Sequence, residues 1–156
     1  MEREKIKKLI LEKNFESARE LILKIEYKEL SKLIGGLSNE TGHKNFYKFI
    51  DYLIKTEKSK KRLIGYHLIA SVILSIDIPH LFYSFRKAIY HVKEAIKLEP
   101  KDLSLKEHLL FVYESPDAKD FLSKKEVKKI ANEILDKNQD SYIAKTTLKD
   151  LEKYEK

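Results

Sequence analysis

Two arginine–histidine pairs share one spacing, Arg62-Leu-Ile-Gly-Tyr-His67 and Arg86-Lys-Ala-Ile-Tyr-His91, each histidine five residues after its arginine. Catalysis by a histidine needs a partner within hydrogen-bond reach, and an arginine at a fixed spacing is a candidate for one. Five residues span about 140° of α-helix, however, so one helix does not bring both side chains onto one face. His67, His80 and His91 also offer imidazoles to a metal, but no pair has the i, i+4 spacing of a helical ligand pair. There is no cysteine, which removes thiolate zinc sites, thiol catalysis and disulfides. No glycine-rich phosphate loop is present, and the paired carboxylates lack the apolar context that raises a pKa. The residues therefore assign no catalytic, cofactor-binding or metal position, and point away from an enzyme.

The elements that carry these residues are helices. Charged side chains make up 37% of the chain, glycine and proline are scarce, and Leu, Ile, Lys and Glu dominate. Periodicity predicts a hairpin over 2–26 (Ile6, Leu9 and Ile10, then Ala18, Leu21, Ile22 and Ile25), with Phe15 packing across its turn. Central helices follow over 27–76: one over 27–37, weakened by Gly35 and Gly36 and followed by a turn at 38–42, one over 44–56, and one over 61–75. The last is apolar on more than one face and is expected at the centre of the packing. Helices over 79–98 (with Asp77 as a possible cap), 102–114, 123–137 and 140–154 complete the chain, the third opened by a Ser123/Glu126 capping box and preceded by a loop around Pro116.

Ala88, Val92, Ala95 and Pro100 fall where a tetratricopeptide repeat places its small, bulky and small residues and its turn proline. The stretch from Glu133 to Leu148 echoes this one 38 residues later, with Asn138 for Pro100 and Asp140 for Asp102. The expected fold is all-α: one domain over 1–156, about nine helices in antiparallel hairpins stacked as a tetratricopeptide-like right-handed superhelix. No apolar run reaches the roughly 20 residues of a membrane span, and the start does not read as a signal peptide. A soluble, cytoplasmic protein is expected.

The net charge of +7 is uneven: 16 basic against 10 acidic residues over 1–62, and 16 against 15 over 63–156. The basic excess peaks at Lys55, Lys58, Lys60, Lys61 and Arg62, which suit an acidic surface or nucleic acid but read first as a solvated helix end. Aromatics crowd the centre of the chain. Phe82, Phe85 and Phe111 read as packing, whereas Tyr83, Arg86 and Tyr90 suit one face of a helix.

The Arg-x4-His pairs resemble the active-site motif of HEPN ribonucleases, although Leu63 fails the polar residue which that family places after the arginine and Lys87 fits it loosely. A broader likeness covers residues 63–150. Tyr66-His67 before Ala70-Ser71, Tyr90-His91 before Ala95-Ile96, and Asp102-Leu-Ser-Leu-Lys106 leading into Leu109-Leu110-Phe111 resemble the WapI-type immunity proteins of Bacillus and related Firmicutes, antidotes to wall-associated polymorphic toxins. That resemblance implies a non-enzymatic protein that binds one toxin domain, typically a nuclease attacking tRNA, and needs no cofactor, membrane or direct nucleic-acid contact. Candidate partner-binding residues are Tyr66, His67, Tyr83, Arg86, Tyr90, His91, Glu94 and Glu107. A basic chain is unexpected for a nuclease antidote, so a local acidic patch around Glu94, Glu99, Asp102 and Glu107 is one expectation. A repeat-type adaptor that holds a peptide, and a HEPN-like ribonuclease, are the alternatives.

Overall fold

The computed structural model describes residues 2–80 and 83–153; Phe82, expected in packing, and Tyr154, expected at the end of the last helix, lie outside them. Among the described residues the chain is all-helical, with nine α-helices, one π-helical turn, one 3-10 helix and no strand. It divides into two compact units, Met1–Ser84 and Phe85–Lys156.

The first unit opens with the expected hairpin, α1 (Glu2–Leu11) and α2 (Phe15–Ile22). Lys13 turns the chain with a left-handed φ of 62°, and the Asn14 side chain caps α2 by accepting from the Ser17 N–H at 3.4 Å. Ile6, Ile10, Ala18 and Ile22 are buried. Phe15 does more than cross the turn. Its ring reaches α4 (Asn45–Thr56), 5.6 Å from Phe49 and 5.8 Å from Tyr52.

Helix α3 (Tyr27–Thr41) runs through Gly35 and Gly36 and four residues beyond its expected end. Each glycine costs a helix about 0.5–1 kcal/mol against alanine. The buried face of Leu30, Ile34 and Leu37 offsets that. Ser38, expected in a turn, is fully buried within the helix, and Gly42 ends it at φ 58°, donating its N–H to the Ser38 carbonyl at 2.7 Å.

Helix α5 (Lys60–Val72) packs on α3 and α4 and buries Tyr66, His67, Ile69, Ala70 and Ser71, the central place its all-round apolarity predicted. It widens into a π-helical turn, Ile73–Asp77, whose Ile73 and Leu74 fill the core between α3 and α4. Asp77, expected as a possible cap, belongs to that turn. Pro79 and His80 form a turn rather than a helix start, and α6 (Ser84–Leu98) begins five residues later than expected, where the Ser84 hydroxyl donates to the Pro79 carbonyl at 2.7 Å.

The second unit contains α6, α7 (Leu103–Tyr113), α8 (Lys124–Leu135) and α9 (Tyr142–Lys153). Ala88, Val92 and Ala95 are fully buried on α6. Asp102 caps α7 by accepting from the Ser104 N–H at 2.9 Å and the Ser104 hydroxyl at 2.6 Å. The expected loop around Pro116 is a 3-10 helix, Pro116–Phe121. Ser123 caps α8 through the Glu126 N–H at 3.2 Å, but the Glu126 carboxylate goes to Lys93 at 2.8 Å. Among the described residues the box is therefore made from one side only.

Candidate functional site

Of the eight sequence candidates, Tyr66, His67 and Tyr83 lie in the first unit and Arg86, Tyr90, His91, Glu94 and Glu107 in the second. Tyr66 is 3% exposed, His67 7% and His91 3%. Burial makes these three part of the packing and takes them out of a partner's reach. The Tyr66 hydroxyl accepts from Arg62 Nε at 3.1 Å, and the same guanidinium donates to the Leu23 carbonyl at 2.9 Å and meets Glu57 at 3.5 Å. Arg62 is thus occupied within the fold. In the other pair Arg86 is exposed while His91 is buried, as about 140° of helix requires.

Tyr83 is half-exposed in the first unit, with a left-handed φ of 60°. Arg86 and Tyr90 stand exposed on α6 in the second unit, and Glu94 on that helix already pairs with Lys97 at 2.5 Å. The basic run is partly neutralised where it stands: Lys55 binds Asp51 at 2.6 Å, and Arg62 meets Glu57. Among the described residues no group of three His, Asp or Glu side chains could hold a metal ion, and no helix is long and apolar enough to cross a membrane.

Glu107 is the candidate that lies in a built surface. Ser104, Glu107, His108, Phe111 and Glu114 fall on one stripe of α7, three and four residues apart, and with Ser141, Tyr142 and Ile143 they line an open groove of about 680 Å³ between α7 and α9. Its floor is aromatic. Phe111, expected in packing, is 53% exposed, and Tyr142 is 80% exposed. The reason lies in angle: Leu105, Leu109 and Val112 hold the buried face of α7, and Phe111 is about 200° round the helix from Leu109. The His108 ring lies 6.2 Å from that of Phe111 with their planes 29° apart, and burial pushes its pKa below the usual imidazole range.

Two carboxylates flank this floor. Glu107 accepts from the Ser141 hydroxyl at 2.6 Å, and Glu114 from the Thr147 hydroxyl at 3.2 Å, Ser141 and Thr147 both being buried. The hydroxyls fix the carboxylates without discharging them. Among the described residues no lysine or arginine lines the groove. Sequence reading missed Phe111, His108, Glu114 and Tyr142; the signal for the first three was the i, i+3/i+4 register running through α7 from Glu107, whereas Tyr142, on α9, had none.

A second hollow of about 580 Å³ lies beside the 3-10 helix, lined by Lys119 and Lys124 together with Glu114, Asp120 and Asp150. Among the described residues it offers no comparable exposed ring. Compared with family models, with curated proteins and with solved structures, the chain matches none.

Proposed function

We propose that this chain is an intracellular immunity protein, an antidote that binds and neutralises one cognate toxin domain in a one-to-one complex. The observation that carries this reading is the α7–α9 surface: exposed rings between two fixed carboxylates, on a chain whose net charge is +7. Exposed aromatic surface of this kind suits a protein partner, because rings bury large area at little entropic cost. Local negative charge suits a partner with a basic face, such as a nuclease's nucleic-acid cleft, and speeds encounter with it. The resemblance of residues 63–150 to immunity proteins points the same way, and so does the sequence likeness to tetratricopeptide repeats, which bind proteins.

The reading assigns no catalytic role. Arg62 is engaged by Tyr66, Leu23 and Glu57, and the histidines of both Arg-x4-His pairs are buried, an arrangement that suits packing better than RNA cleavage.

Co-expression tests the proposal. A toxin domain encoded beside this chain should arrest growth of a host cell when expressed alone and lose that effect when this chain is co-expressed. Undiminished killing would refute the antidote role. Binding to many unrelated proteins through a shared short motif would mark a peptide adaptor instead.

A further inference from the structure

In the second unit several carboxylates are spent. Glu94 pairs with Lys97, Glu126 with Lys93, and Glu133 with Lys106 at 2.8 Å, while Asp102 caps α7. Glu107 and Glu114 differ. Each is anchored by a hydroxyl on Oε1, and among the described residues neither meets a cation. A carboxylate has room for about four acceptor contacts, so both retain acceptor capacity toward the groove.

Between these anchors lie the exposed rings of Phe111 and Tyr142. Rings beside uncompensated carboxylates select a cation that is also flat. An ammonium is a compact, strongly hydrated point charge, whereas a guanidinium stacks on a ring face, sheds water more readily and presents a fork of donors to a carboxylate. His108, whose ring lies 6.2 Å from that of Phe111, adds ring surface to the groove.

Resting on the reading that the chain engages a protein, we infer that the α7–α9 groove receives an arginine side chain of the partner, its guanidinium stacked on Phe111 or Tyr142 and paired with Glu107 or Glu114. The occupant is a folded protein with an arginine-bearing basic surface. Charge complementarity is local here: the chain carries a net charge of +7, and this groove carries two carboxylates.

Titration of hexaarginine and of hexalysine into the full, isotope-labelled chain at low salt tests the inference by nuclear magnetic resonance. Resonances of Phe111, Tyr142 and His108 should move, with hexaarginine binding about threefold or more tighter than hexalysine. Phe111→Ala, Tyr142→Ala and Glu107→Gln should each weaken hexaarginine about fivefold, with an unchanged amide spectrum outside the groove. Equal response to the two peptides, shifts scattered over other surfaces, or no effect of these substitutions would overturn it. The toxin complex separates this inference from the function it rests on. A complex indifferent to Phe111→Ala and Tyr142→Ala refutes the groove and leaves the antidote standing; hexaarginine in the groove with no toxin complex does the reverse.

Discussion

At the scale of single residues, the first unit is tied by a small ionic cluster and a close ring contact. Glu40 on α3 accepts from Arg3 at 2.7 Å and from Lys7, both on α1, and these hydrogen bonds hold its carboxyl at about 2, below the ordinary 4.5. The depressed value sets the sign: this contribution to stability is complete above about pH 4.5 and is lost as pH falls toward 2. Carboxyl-carbon chemical shifts should place Glu40 lowest among the glutamates of this unit, and Glu40→Gln should flatten the acid limb of the stability profile. Gly65 is constrained by space, since a Cβ there would sit 2.5 Å from Cδ2 of Tyr27. That ring is 40% exposed and can swing away, so Gly65→Ala should destabilise by about 1–3 kcal/mol without unfolding the chain, measured by urea denaturation.

At the scale of elements, the echo between Asp102 and Asp140 makes a sharp test. Asp102 caps α7 through Ser104, whereas the Asp140 side chain is 99% exposed and Ser141 holds the position before α9, its carbonyl accepting from the Lys145 N–H at 3.2 Å. The repeat pattern thus slips by one residue at its second copy. Asp102→Ala should cost about 1 kcal/mol, and Asp140→Ala less than about 0.5 kcal/mol, both read from thermal melts. Helix existence and the buried small residues of α6 were legible because spacing and residue size encode them directly. The end of α3 was not legible, because the apolar face of Leu30, Ile34 and Leu37 overrides the local cost of two glycines. Pro79 misled for the opposite reason: proline marks a helix start or a turn equally well, and only the Ser84 contact decides.

At the scale of the whole molecule, composition describes a basic chain, while the α7–α9 surface has the opposite sign. Glu107 was visible as a candidate in the sequence. Phe111 and Tyr142 were not, because a ring's exposure depends on which apolar neighbours claim the core face of its helix. The immunity-protein reading turns on that surface: a partner with a basic cleft would meet exposed rings beside Glu107 and Glu114, which stand unpaired with any cation among the described residues. Native mass spectrometry of this chain, mixed with the toxin domain encoded beside it, is the most direct test. The account predicts a one-to-one complex that persists at nanomolar concentration and loses at least about tenfold in affinity when Phe111 and Tyr142 are both replaced by alanine. Two separate masses at micromolar concentration would contradict it.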